Sequence, residues 1–263
     1  SKCPTPLTDL FDPPSCLCKW KDFRYQIPVK IFAASCFPAR LRWSNIWPAL
    51  YPTGRRVSMA YSIDAITDGC YPGTTCLINK LGIQDESVLA ETEAAVVLGK
   101  ASLLDQQPIQ GEFDFDHYKR IHHFLFCDLY DWAGQVRSIN ISKKGTAFVS
   151  PDEIESCADA CFKRLSTFHP DGLSHRQLAE EVADFYHTVN MLHPFREGNG
   201  RTQRLFFAQW IQHLGYEFTL ADVDPDTFMI ATIYAAQGVM DQLIDFFEDA
   251  IQIPRMDIGF NLS

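Results

Sequence analysis

An all-α domain carrying one small β-hairpin is the fold that this sequence predicts. Apolar residues recur at three- and four-residue spacing through most of the chain after residue 85, which is helical periodicity. One short segment, 138–142, alternates apolar and polar residues instead, as a strand does. Pro, Gly and capping side chains cut the periodic stretches into helix-sized pieces.

The elements follow in order. From Asp85, residues Val88, Leu89, Thr92, Ala95, Val96 and Gly99 recur at helical spacing. A second helix is expected near 114–130, with Asp116 as its N-cap and Ile121, Phe124, Leu125 and Leu129 on one face. The alternating segment 138–142 reads as a strand, Lys143 to Thr146 as its turn, and Ala147 to Val149 as the return strand. Ser150-Pro151 has the cap-then-proline pattern of a helix start, and that helix is expected to reach about Phe168. Ser174 caps the next, which carries Leu178, Val182, Phe185 and Tyr186 to about Met191. A loop over 192–198 leads into a helix from Asn199 to Leu214, closed by Gly215. Two last helices are expected at 224–236 and 239–251.

The first 58 residues differ from the rest. They hold eight of the 15 Pro, four of the nine Cys and three of the five Trp. They read either as an extension foreign to the functional protein or as a Pro-rich arm that packs on it. Residues 59–263 form the functional domain, with its core over about 114–251. Charge divides at the same place. Residues 1–58 hold nine Lys/Arg against three Asp and no Glu, whereas residues 59–263 hold 14 Lys/Arg against 30 Asp/Glu. A body this acidic argues against nucleic acid as the main partner. No apolar run reaches the roughly 18 residues of a membrane-spanning helix, and the chain opens without a basic-then-apolar signal pattern. The expected location is the cytoplasm, with no membrane partner and with the nine Cys as reduced thiols.

Residues 193–204, HPFREGNGRTQR, concentrate the chemistry. Gly198-Asn199-Gly200 falls at a helix start, where unpaired N–H groups and the helix dipole attract an anion. Two glycines allow a phosphate to approach the backbone. Arg201 and Arg204, three residues apart, project from one side of that first turn. Glu197 would repel phosphates unless a cation lay between, and Mg²⁺ is commonly held by one or two carboxylates plus phosphate oxygens. His193, with an unperturbed pKa of about 6.5, suits a general base. The parts together describe phosphoryl or nucleotidyl transfer to a hydroxyl. Taken singly, each has a bland explanation: a structural histidine, a solvated arginine face, glycines in a turn. Their conjunction within twelve residues favours the chemical reading.

The same run resembles the signature of the Fic (filamentation induced by cAMP) family, H-x-F-x-[D/E]-G-N-G-R-x-x-R, without departure at a defined position. YPGTTCLINKLGI at 71–83 and DLYDWAGQVRSINISKKGTAF at 128–148 resemble that family's lead-in and flap. The resemblance covers about 71–251. It implies a Fic-type helical core with a β-hairpin flap, and adenylylation of Ser, Thr or Tyr hydroxyls of a target protein with Mg²⁺ and ATP. By position it makes His193 the base, Glu197 the Mg²⁺ ligand, and Gly198, Asn199 and Gly200 the anion hole, with Arg201 and Arg204 on the outer phosphates. Lys144, Gly145, Thr146, Ala147 and Phe148 become the target-clamping flap. The family's inhibitory motif, [S/T]-x-x-x-E-[G/N], has no full match. Ser87-x-x-x-Glu91 comes nearest but is followed by Thr92, so the resemblance implies a toxin whose inhibitory Glu is supplied in trans by a small antitoxin. Transfer of UMP or GMP, or a non-catalytic ATP-binding regulatory domain, are the alternatives.

Overall fold

The computed structural model describes residues 69–143, 146–218 and 224–252. The expectations for residues 1–58, and for Lys144 and Gly145 at the flap tip, lie outside the described residues. Within them the chain forms seven α-helices: α1 (Glu86–Gln106), α2 (Phe115–Phe126), α3 (Ile154–Ser166), α4 (His175–Leu192), α5 (Asn199–His213), α6 (Pro225–Ala236) and α7 (Asp241–Ala250). Two antiparallel pairs of two-residue strands accompany them. In one, β1 (Ser142–Lys143) pairs with β2 (Thr146–Ala147); in the other, β3 (Glu217–Phe218) pairs with β4 (Ile251–Gln252).

The helix starts follow local chemistry. The Asp85 carboxylate accepts from the N–H groups of Ser87 and Val88 and so opens α1. Asp114, and not the expected Asp116, caps α2 by accepting from His117 N–H at 2.7 Å. Asp116 instead sits in the first turn and pairs with Lys119 at 2.8 Å. Ser174 and Gln177 form a capping box on α4. Ser150-Pro151 opens a single 3₁₀ turn, Pro151–Glu153, which runs into α3.

Helix α4 is central and packs against α3, α5, α6 and α7, while α2 packs on α5 and α1 on α2. The core between them is aromatic. Phe113, Tyr118, Phe162 and Phe206 meet edge-on or tilted, and Phe185, Phe207 and Trp210 continue the cluster. No helix among the described residues is long and apolar enough to cross a membrane.

Further expectations change. The buried stripe of α1 is Leu89, Glu93, Val97, Ala101 and Leu104, whereas Val88, Ala95 and Gly99 face outward. The hairpin ladder is shorter than expected: its strands start at Ser142, and before them only the Ile141 carbonyl is bonded across, accepting from Phe148 N–H at 3.2 Å. The β3–β4 pair was not anticipated, since two residues have no periodicity to read. Cys70, Cys76, Cys127 and Cys161 are free thiols; Cys157 is disulfide-bonded and departs from the expectation of reduced thiols.

Candidate active site

The loop between α4 and α5 is bent at both ends by left-handed backbone. His193 ends α4 with φ 42° and ψ 57°. Gly198 precedes α5 with φ 79°. For a non-glycine residue the left-handed region costs about 1–2 kcal/mol, so the surroundings must hold His193 there. Arg137 does so. This buried guanidinium donates from Nε to the His193 carbonyl at 2.8 Å, and from Nη1 and Nη2 to the carbonyls of Ile139 at 2.6 Å and Val149 at 2.5 Å. Backbone bonds from Arg137 N–H to Pro194 and from Val149 N–H to Met191 fasten the base of the hairpin to the same loop.

The loop interior is equally fixed. Asn199 accepts from Phe195 N–H at 2.8 Å and donates back to the Phe195 carbonyl at 2.7 Å. Its side chain is therefore spent on the loop, and its contribution to an anion site is its backbone N–H. Phe195 is fully buried and stacks on His122, with centroids 3.8 Å apart. His122 accepts at Nδ1 from Gly134 N–H and must then donate from Nε2 to the Glu197 carbonyl, 3.0 Å away. Burial pushes its pKa down to about 3, so the imidazole is neutral and its tautomer set.

His193 is in a matching state. Its Nδ1 lies 3.1 Å from the Asn190 carbonyl, which can only accept, so Nδ1 carries the proton and Nε2 the lone pair. Burial, reinforced by Lys143, lowers its pKa to about 3. Phe148 from the hairpin stacks flat on the ring, with centroids 3.8 Å apart and planes 9° apart. His193 borders a small cleft walled by Lys143, Thr146 and Phe148 of the hairpin, by Asn190, and by Met229, Thr232, Ile233 and Ala236 of α6. Helix α6 thus supplies one wall of the cleft that His193 borders.

The start of α5 distinguishes its two glycines. A Cβ on Gly198 would lie 2.3 Å from the Phe126 ring, and the residue's φ is positive, so packing alone demands glycine there. Among the described residues, a Cβ on Gly200 would meet only Arg204 Nη1, at 3.4 Å. None of these neighbours requires Gly200, although glycine inside a helix costs about 0.5–1 kcal/mol relative to alanine. The open space beside it, bordered by the Arg204 guanidinium and the first N–H groups of α5, has the form of an anion site.

Glu197 Oε1 accepts from Gly198 N–H at 2.8 Å and from Arg201 Nη2 at 3.2 Å. Burial pushes its carboxyl up, Arg201 pulls it down, and Glu93 pushes it up again. Among the described residues no group of three or more His, Cys, Asp or Glu could cage a metal. One carboxylate at the start of α5 fits a Mg²⁺ that arrives with its nucleotide, since such ions take much of their coordination from phosphate oxygens and water.

The structure thus brings His193, Glu197, Gly198, Asn199, Gly200, Arg201 and Arg204 onto one loop and helix start, and sets Phe148 on the His193 ring. Thr146 walls the same cleft, and Ala147 pairs with Ser142 in the hairpin. Sequence reasoning missed Glu93, His122, Tyr130 and Arg137. A glutamate on the core stripe of α1 was the one available signal.

A family model described as the Fic/DOC family matches residues 112–211. A probable protein adenylyltransferase, y4lH, of Sinorhizobium fredii is 36% identical over 173 residues, which cover 64% of this chain and 88% of that protein. The crystal structure of the BepC protein of Bartonella tribocorum with bound AMPPNP superposes with a TM-score of 0.65 at 29% identity, covering 72% of this chain and 98% of that one. The N-terminal Fic domain of a Bartonella quintana effector with bound ADP gives the same TM-score at 26% identity, over 72% and 96% of the two chains. With this agreement of signature, helical core and hairpin, the chain belongs to the Fic/DOC family.

Proposed function

We propose that this protein is a nucleotidyltransferase that moves AMP from ATP onto a Ser, Thr or Tyr hydroxyl of another protein. The observation that carries the reading is the state of His193: neutral, with Nδ1 bound to Asn190 and the lone pair on Nε2, beside a cleft next to a helix start whose Gly200 serves no packing purpose. His193 Nε2 takes the hydroxyl proton as the oxygen attacks the α-phosphorus and pyrophosphate leaves. The N–H groups at the start of α5 receive the phosphate oxygens. Arg201 and Arg204 offset charge on the leaving pyrophosphate. Glu197 would hold Mg²⁺ against the phosphates, where the ion neutralises charge and orients them. The names of the relatives, and the AMPPNP and ADP bound in two Bartonella structures, support ATP as donor.

The hairpin is read as the target clamp, pairing its main chain with an extended target segment while Phe148 yields its place on His193. Regulation is read as external. Glu91, the nearest match to an inhibitory glutamate, is an exposed residue of α1, which supports a toxin restrained by a separate antitoxin; suppression of activity by a co-expressed partner would test this.

The test of function uses ATP labelled at the α- or the γ-phosphate, Mg²⁺ and a cell lysate. The expected result is α-label on protein, a peptide heavier by one AMP, and no transfer by His193→Ala, which still binds nucleotide. Transfer of γ-label, or normal turnover by His193→Ala, would overturn the reading.

A further inference from the structure

The buried stripe of α1 carries a carboxylate where its neighbours are apolar. Glu93 lies between Leu89 and Val97 and is 7% exposed. A charge in such a place is costly unless paired and hydrogen-bonded. Both of its oxygens are engaged: Oε2 accepts from the Tyr130 hydroxyl, and Oε1 pairs with Arg201 Nη2. The same Nη2 reaches Glu197, and the guanidinium lies over the Phe126 ring, 4.9 Å from its centroid. One corner of Arg201 is thus held between two carboxylates and above an aromatic face.

The two carboxylates are not equivalent. Glu197 sits on the loop at the anion site and is the residue read above as turning to Mg²⁺. Glu93 comes from a different helix and is anchored by Tyr130, which follows α2. Packing does not explain it, because a well-packed apolar residue commonly replaces a buried ion pair at no loss of stability.

The geometry points to Glu93, braced by Tyr130, as a positioning residue that keeps Arg201 aimed at the outer phosphates once Glu197 is committed to the nucleotide. It touches neither substrate nor metal. It acts through Arg201, and the inference rests on the reading of Arg201 as a phosphate ligand.

The test is the dissociation constant of a non-hydrolysable ATP analogue with Mg²⁺, measured by calorimetry on the full chain, for Glu93→Gln, Arg201→Ala, the double variant and Tyr130→Phe. Glu93→Gln is expected to weaken binding by about fivefold, in the range for coupled charged neighbours. In the Arg201→Ala background it is expected to add nothing. Tyr130→Phe, which removes one oxygen and keeps the ring, is expected to weaken binding in the same direction by about twofold, and serves if Glu93→Gln fails to fold. Equal weakening by Glu93→Gln with and without Arg201 would assign Glu93 to the scaffold and overturn the inference. Tighter binding by Glu93→Gln would also overturn it, by showing a carboxylate that competes with phosphate. Unaltered binding in Arg201→Ala would sink the phosphate reading itself, and the inference with it. Unaltered binding in Glu93→Gln beside a weakened Arg201→Ala would sink the inference alone.

Discussion

Replacing each signature glycine by alanine separates what the fold needs from what a ligand needs. At position 198 the new methyl would stand 2.3–2.4 Å from two carbons of the Phe126 ring, which has no solvent-exposed surface of its own to move into. Overpacking of this kind costs about 1–3 kcal/mol, and a φ of 79° adds about 1–2 kcal/mol for an alanine. A loss of about 2–5 kcal/mol lowers the melting temperature by roughly 5–20 °C in a domain of this size. At position 200 the methyl meets a single flexible atom, Arg204 Nη1, at ordinary contact distance. Alanine there gains up to about 1 kcal/mol of helix preference, worth at most ~4 °C. The methyl does fill the space beside the α5 N–H groups. Losing even one charge-assisted bond to phosphate, about 1.5–3 kcal/mol, weakens nucleotide binding at least tenfold. Thermal denaturation with calorimetric titration of an ATP analogue reads both effects. Gly200→Ala is expected to melt at or above the parent temperature and to lose nucleotide affinity. If it binds normally, the start of α5 is not the phosphate site. If Gly198→Ala melts with the parent, the packing of the loop against Phe126 is wrong.

Two other outcomes are expected. The His193 pKa is depressed to about 3 from an unfolded value of about 6.5, so the unfolded chain takes up a proton that the native one refuses; this stability is complete above about pH 6.5 and lost as pH falls toward 3. Chemical denaturation at pH 8 and pH 5.5 should show the parent losing about 1.4 kcal/mol more than His193→Gln, and equal losses would refute a buried neutral imidazole. Arg137→Met leaves the buried carbonyl of His193 and the half-buried carbonyls of Ile139 and Val149 without this donor, and is expected to cost about 3 kcal/mol, or roughly 6–12 °C, in thermal unfolding. A melting temperature within a degree of the parent would show that Arg137 does not tie the hairpin to the loop.

Much of this was legible because it is local. The cap at Ser174, the proline after Ser150, and the helix from Asn199 are written in neighbouring residues, and the structure places them where the pattern says. The reading of α1 found the helix and Leu89 but missed most of the buried stripe, for a physical reason. That helix is apolar around most of its circumference, and its core stripe includes a glutamate, so a search for hydrophobic spacing took in the outward residues Val88, Ala95 and Gly99. Strands β3 and β4 escaped because their pairing joins Glu217 to Gln252, a tertiary fact with no short-range sign. The same limit applies to the site. The signature names the residues proposed to meet the nucleotide, but the residues that hold it in shape come from elsewhere in the chain.

That division has a structural cause. A loop that turns left-handed at His193 and again at Gly198 cannot satisfy its own backbone, and its carbonyls must find donors from other elements. Arg137 supplies one from the foot of the hairpin, and His122 supplies another from α2; Asn199 closes the middle from within. Each donor also ties the loop to a part with a different proposed task. Arg137 links the base to the target clamp, since its guanidinium spans the His193 and Val149 carbonyls. His122 links the metal-binding position to the aromatic core through the Glu197 carbonyl and the face of Phe195. Glu93 links the phosphate arginine to α1. A displaced hairpin would therefore pull on the carbonyl of His193 itself, so under the proposed roles target docking and the setting of the base would be mechanically coupled.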